Sequence, residues 1–250
     1  MKEHLKDGER LDAVNEKITL IQKKDGLTFG TDAFLLASFI KPLSKGIAVE
    51  LGAGTGIISL LLSARDRFAK IKALEIQEDF AEMAKRNVSL NEMDGKIEIL
   101  HADVTKATAA TIGGEADVVF SNPPYMKTDS GKRNQSDYKY IARHEVCGDI
   151  NDFCAAAFRM LKHGGKFYAV WRPDRLTDLI VAMRQNRLEP KIVTLVHAHT
   201  DSAPSMMLVS ATKGGASGMT LTPPLILHKD SSCTEMSERA KKIYDTMSFE

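Results

Sequence analysis

Short apolar runs alternate with longer amphipathic stretches along most of this chain. The runs "GIAVEL" (46–51), "KIKALEI" (70–76), "KIEILHAD" (96–103), "EADVVF" (115–120) and "KFYAVW" (166–171) read as strands. Between them, apolar positions recur every three or four residues in 57–66, 79–93, 150–162 and 174–186, which predicts helices. A first helix is predicted over "TDAFLLASFI" (31–40), with Thr31 or Asp32 as its N-cap and Pro42 past its end. A Gly164-Gly165 turn is expected before the fifth strand. Two further strand-like runs, 191–198 and 205–212, are close enough to form a hairpin. Near-continuous apolar strands separated by helices indicate a parallel sheet covered on both faces, and a terminal hairpin makes one strand antiparallel.

The expected architecture is thus α/β: a seven-stranded, mostly parallel sheet with one antiparallel strand and helices on both faces. Residues 1–45 read as a polar lead-in and a helix that closes a pocket, 46–213 as the main domain, and "KGGASG" (213–218) as a hinge to a tail with a helix over 234–247.

Composition narrows the class without naming it. The chain has 250 residues, 43% hydrophobic and 27% charged, as expected for a soluble globular protein. No run approaches a membrane span, and the charged start "MKEHLKDGER" lacks the apolar block of a signal peptide, so a cytoplasmic location is expected. Cys147, Cys154 and Cys233 lack C-x-x-C spacing and read as free thiols. No metal site is expected: His197 and His199 alternate on a strand and share a face, but no third ligand is near in sequence. A net charge of +1 excludes a global nucleic-acid signature. Locally, Lys127, Lys132, Arg133, Lys139 and Arg143 outnumber Asp129 and Asp137, with Tyr138 and Tyr140 interleaved.

Chemistry enters at "VELGAGTG" (49–56). Gly52, Gly54 and Gly56 are spaced G-x-G-x-G, not as the dinucleotide fingerprint, and they let the backbone turn tightly against a ligand. Glu50, just before them, would repel a pyrophosphate and attract an ammonium. Glu75, with Ile76 after it, ends the second strand about 20 residues on, where doubly wound folds place an acid on ribose hydroxyls. Asp103 ends the third strand, where it can accept from an adenine amino group. An ammonium, a ribose and an adenine together describe S-adenosylmethionine.

The fourth strand runs into "SNPPYMK" (121–127). Pro123 and Pro124 cannot donate to a ladder and stiffen the exit. The Asn122 side-chain oxygen and the Pro123 carbonyl form a rigid pair of acceptors for the N–H groups of a planar amine or amide, and Tyr125 offers a stacking face. On residues alone, adenine, cytosine, guanine and a glutamine side chain all remain as acceptors.

These segments, with "GLTFGTDAFLLASF" (26–39), "IARHE" (141–145), "LKHGGKFYAVWRPDRL" (161–176) and "MMLVSATKGG" (206–215), resemble class I S-adenosylmethionine-dependent methyltransferases of Rossmann-like fold carrying an N-P-P-Y motif. More narrowly, they resemble the bacterial family that N6-methylates the adenine beside the anticodon of valine tRNA. The resemblance implies that Phe29, Thr31, Asp32, Glu50, Gly52, Gly54, Gly56, Glu75, Ile76, Asp103 and Asn122 surround the cofactor. It also implies that Asn122, Pro123 and Tyr125 hold the target base. Met126 stands where many relatives have a second aromatic residue.

Lys127, Lys132, Arg133 and Arg143 are the expected tRNA contacts, while Arg143, His144 and Glu145 read equally as contacting RNA or bracing the loop and as an ordinary Arg–Glu pair at a helix start. The expected form is a monomer or weak homodimer. The rival readings are a protein glutamine N5-methyltransferase, an rRNA guanine-N2 methyltransferase and a non-catalytic cofactor-binding module.

Overall fold

The computed structural model describes residues 5–24, 30–123, 148–230 and 235–249. The chain opens with an antiparallel hairpin, β1 (Glu9–Ala13) and β2 (Thr19–Lys23). There follow α1 (Thr31–Phe39), β3 (Leu43–Leu51), α2 (Ile57–Ser63), β4 (Phe68–Glu75), α3 (Glu78–Leu90), β5 (Ile97–His101) and β6 (Ala116–Ser121). After the undescribed residues 124–147 come α4 (Ile150–Met160), β7 (Leu161–Trp171), α5 (Leu176–Gln185), β8 (Leu188–His197) and β9 (Pro204–Lys213). Two short strands, β10 (Thr220–Leu221) and β11 (Leu225–Ile226), and the helix α6 (Glu238–Thr246) complete the described chain.

The main sheet runs β10-β8-β9-β7-β6-β3-β4-β5, with β11 also on β8. Strand β9 lies antiparallel between β7 and β8, and the other described pairings in this sheet are parallel. The seven long strands are those the hydrophobic pattern predicts. The two-residue strands β10 and β11, which lie along the outer edge of β8, are too short to leave a pattern.

Side-chain alternation explains why the strands read as continuous apolar runs. Ala48, Ala73, Val118, Phe120, Tyr168 and Val170 face one core, under α1, α2, α3 and α6. Val49, Leu51, Leu74, Val119, Phe167, Ala169 and Trp171 face the other, under α4 and α5. Successive residues point to opposite faces, so burial of both faces removes the polar half of the alternation.

Three local expectations are corrected. The N-cap of α1 is Gly30, not Thr31 or Asp32, and no side chain caps this helix. Gly164 and Gly165 lie inside β7, where its pairing with β6 shifts register, rather than in a turn before it. His199 does not share a strand face with His197, because β8 ends at His197 and the chain turns. The His197 ring nitrogen Nδ1 lies 2.7 Å from the Ser202 carbonyl.

The "polar lead-in" carries the β1–β2 hairpin. Ile18, Leu20 and Ile21 are fully buried. The outer edge of β2 is completed by two side chains one turn apart, Asn87 within α3 and Asn91 at its C-cap. Asn91 accepts from the Thr19 N–H at 2.9 Å and donates to the Thr19 carbonyl at 2.8 Å. Asn87 accepts from the Ile21 N–H at 2.6 Å and donates to the Ile21 carbonyl at 3.1 Å and the Thr55 carbonyl at 3.0 Å. Two amides four residues apart on a helix thus stand in for a neighbouring strand, matching alternate residues of β2. Arg86, on the same helix, grips both Glu9 carboxylate oxygens at 2.7 Å, and its hydrogen bond holds that carboxyl below the usual range.

The tail is docked on α1. Tyr244 stacks on Phe34 with centroids 4.3 Å apart, Phe249 meets Phe39 edge-on, and Arg67 donates to the Ile40 and Met247 carbonyls.

Asn87 is wholly buried. Its replacement by Ala would leave the Ile21 N–H and the Thr55 carbonyl without these partners. The variant is expected to lose about 2–4 kcal/mol of stability, read as a lower midpoint in urea unfolding.

Candidate active site

Strands β6, β3, β4 and β5 end side by side. Leu51 is level with Leu74 and with Ser121, and Glu75 is level with His101. One edge therefore carries Glu50 and the glycine turn after β3, Glu75 and Ile76 at the end of β4, Asp103 just past β5, and Asn122-Pro123 directly after β6. The Ser121 hydroxyl donates to the Leu51 carbonyl at 2.7 Å and locks the tips of β3 and β6 together.

The glycine turn is strained for any other residue, with φ of 73°, 55° and 81° at Gly52, Gly54 and Gly56. The N–H groups of Gly52 and Ala53 both donate to the Leu74 carbonyl at 2.9 Å, which ties the turn to β4. An added Cβ at Gly52 would touch the Phe153 ring at 3.5 Å, whereas one at Gly54 would meet nothing within 4 Å. The turn is packed from below at Gly52 and open at Gly54.

Two carboxylates sit beneath it. Glu75 accepts from the Gly54 N–H at 2.7 Å and the Gln77 N–H at 2.9 Å. Burial raises its pKa against these hydrogen bonds. Glu50 is only 1% exposed and accepts from the Ser59 N–H at 3.2 Å and from the Ser59 hydroxyl. Burial pushes its carboxyl up to about 8 against the Ser59 hydrogen bonds, with repulsion from Glu75 adding to the rise.

Asp103 is set differently. It accepts from the Thr105 N–H at 2.9 Å and hydroxyl at 2.7 Å, and pairs with Lys106 at 3.1 Å. Burial works against its ionisation, but the bonds from Thr105 and Lys106 prevail and lower its pKa. Arg159 of α4 holds the loop that follows, donating to the carbonyls of Val104, Thr105 and Ala107 at 2.9–3.1 Å. The Ile76 carbonyl lies 2.9 Å from His101 Nε2.

Asn122 is half-buried, and its Nδ2 donates to Asp32 Oδ2 at 2.8 Å. Asp32 and Thr31 open α1, which brings them to the same edge. Both also line a groove of about 500 Å³ with Trp171–Asp174 and Pro204–Met206. Trp171 and Tyr168 are core residues, 6% and 5% exposed. Cys154 is a free, buried thiol that burial pushes up to about 12. Among the described residues, no group of three His, Cys, Asp or Glu side chains is placed to hold a metal, and no helix is long and apolar enough to cross a membrane. Phe29, Pro124, Tyr125, Met126, Lys127, Lys132, Arg133, Arg143, His144, Glu145, Cys147 and Cys233 lie outside the described residues.

Sequence reasoning did not find the residues that position this edge. Asn87 and Arg159 act through backbone groups far away in the chain, so no local pattern marks them. Asp32 and Asn122 were each expected near the cofactor, but their pairing spans 90 positions and no local pattern marks it.

A strand order with β9 reversed between β7 and β8, and a glycine turn over carboxylates after the first strand of the parallel set, define a protein of the α/β methyltransferase class. Residues 23–185 match the family model described as Methyltransferase small domain, and the chain belongs to that family. It is 30% identical over 195 residues to a protein of Phocaeicola vulgatus named tRNA1(Val) (adenine(37)-N6)-methyltransferase, covering 78% of this chain and 81% of that one. A protein of the same name from Porphyromonas gingivalis is 26% identical, with 72% of each chain covered. Among solved structures, a predicted O-methyltransferase from Agrobacterium tumefaciens superposes with a TM-score of 0.70 at 25% identity, covering 87% of this chain and 97% of that one. M. jannaschii TYW2, solved in complex with AdoMet, shares the fold with a TM-score of 0.56 at 13% identity, covering 83% of this chain and 86% of that one.

The buried Glu50 makes stability fall with rising pH. Its folded value, about 8, lies above the ordinary 4.5, so the folded protein keeps a proton that the unfolded chain has released. Stability is full below the ordinary value and is lost as pH climbs toward the folded one, by up to about 1.4 kcal/mol per pH unit. The ligand-free protein should unfold at lower urea at pH 8 than at pH 6, and Glu50→Gln should flatten that slope.

Proposed function

We propose that the protein transfers a methyl group from S-adenosylmethionine to the exocyclic N6 amine of an adenine in tRNA, at the adenine beside the anticodon of a valine tRNA. The observation that carries this reading is the shared edge, where two carboxylates under an open glycine turn adjoin an Asn-Pro exit held by its own hydrogen bond. The activity for which the Phocaeicola vulgatus and Porphyromonas gingivalis relatives are named supports the choice of substrate.

The donor set fits the cofactor. Glu50 matches an ammonium in charge. The Glu75 oxygens accept the Gly54 and Gln77 N–H groups and keep lone-pair capacity for a ribose hydroxyl. Asp103 offers an acceptor for the adenine amino group in competition with Lys106, whose side chain is largely exposed. The open side of Gly54 is where a ligand approaches backbone closely. When bound, the cofactor supplies an activated methyl on a sulfonium. A cation facing Glu50 favours its ionised form, so binding offsets the burden of burying that carboxylate.

An exocyclic amine on adenine is a weak nucleophile because its lone pair is delocalised into the ring. Asn122 Oδ1 and the Pro123 carbonyl accept its two N–H groups, which localises the lone pair and aims it at the methyl group. Pro123 and Pro124 keep the second acceptor in place, and Tyr125 stacks on the flipped base for about 1–3 kcal/mol. Lys127, Lys132, Arg133 and Arg143 take the phosphates, so transfer should weaken steeply as salt rises.

Nucleoside mass spectrometry of tRNA incubated with labelled cofactor tests the reading. The wild-type protein should produce N6-methyladenosine. Asn122→Ala should lower transfer by at least about 100-fold with cofactor affinity unchanged. A label on protein instead of tRNA, or normal turnover by the variant, would refute it.

A further inference from the structure

We propose that Asp32 is a positioning residue that fixes the orientation of the Asn122 amide, so that α1 sets the geometry of the target-amine site. The inference rests on Asn122 as the residue that accepts from the amine. A carboxylate has no proton to give, so the group facing Asp32 Oδ2 across 2.8 Å must be the Asn122 NH2. That contact decides which way the amide is turned. Oδ1 is then the branch of the amide turned away from Asp32, which is the acceptor the amine requires. Without Asp32, a half-turn about the terminal torsion would exchange donor and acceptor. The site would then present N–H groups to an amine that itself donates.

A second observation concerns how Asp32 is held. An added Cβ at Gly30 would lie 2.7 Å from Asp32 Oδ1, far inside contact distance. The backbone at Gly30 is extended, with φ −112°, a conformation open to any residue, so the absence of a side chain there is spatial. It leaves room for the carboxylate to fold back over the helix start. Asp32 opens the helix without capping it, since the N-cap is Gly30 and has no side-chain bond. An acidic residue in a first turn gains from the helix dipole wherever it points, so the dipole does not explain the aim at Asn122. Its partner, 90 residues away, does.

The role predicts a separable pattern. Asp32→Ala should lower the single-turnover rate by about 10–100-fold, the loss expected when a reacting group is misplaced, and this loss should exceed any fall in affinity for S-adenosylhomocysteine measured by calorimetry. Asp32→Asn, which keeps an acceptor oxygen, should recover most of the rate. Gly30→Ala, which crowds the carboxylate, should fall between wild type and Asp32→Ala. In an Asn122→Ala background, removal of Asp32 should lower the residual rate no further, because the two side chains act as one unit.

An arm that needs no transfer assay separates this inference from the proposed function. In isotope-labelled protein, the Asn122 side-chain NH2 resonances, assigned by their loss in Asn122→Ala, should shift in Asp32→Ala and Gly30→Ala. If no tRNA adenine is methylated but those resonances shift, the substrate reading fails and the positioning role stands. Unmoved resonances, a cofactor affinity that falls in step with the rate, or additive losses in the double variant would overturn the positioning role.

Discussion

The Glu75 carboxylate accepts from the Gly54 and Gln77 N–H groups, and through this pair of bonds the tip of β4 fixes both the glycine turn of β3 and the start of its own following helix. The Leu74 carbonyl adds two more ties to the turn. The turn needs them: its three glycines adopt left-handed φ values, and an unsupported glycine loop has many other conformations of similar energy. A binding edge made of backbone can be specific only if the backbone is held. Here Glu75 holds that backbone, and in the proposed function the same carboxylate also meets the ligand.

This arrangement has an energetic consequence. Glu50 and Glu75 lie under one turn, both buried and both raised in pKa, with their mutual repulsion contributing at Glu50. In the ligand-free protein Glu50 therefore keeps its proton near neutral pH, and the two apolar cores on either side of the sheet keep the edge assembled. Phe153 reaches from one core to touch the turn, Asn87 reaches from the helix over the other core to the Thr55 carbonyl, and Arg159 secures the loop behind Asp103. The sheet aligns the strand tips, and these three side chains set the loops between them.

Much of the fold was legible because burial on both faces leaves unbroken apolar strands, and helices with one buried stripe leave a period of three to four. The seven long strands and five main helices follow from that. What escaped detection shares a physical cause. The β1–β2 hairpin owes its edge to Asn87 and Asn91, polar residues on a helix that look solvated in sequence. The β10 and β11 strands are two residues long. Gly164 and Gly165 read as a turn because a bulge within a strand uses the same residue type. At the site, sequence order predicted the placement of Glu50, Glu75, Asp103 and Asn122, since strand ends are set by topology. It did not reveal that Glu50 bonds Ser59, that Glu75 braces Gly54, or that Asp32 faces Asn122, because those depend on where side chains meet across the fold.

In the proposed function, these strand-tip acids hold a sulfonium donor beside the Asn-Pro exit. A crystal structure of the protein with S-adenosylhomocysteine tests it most directly. The ligand amino group is expected against Glu50, its ribose hydroxyls on Glu75, its adenine near Asp103 and its sulfur facing Asn122. A ligand seated elsewhere, or turned so that its sulfur lies away from Asn122, would contradict it.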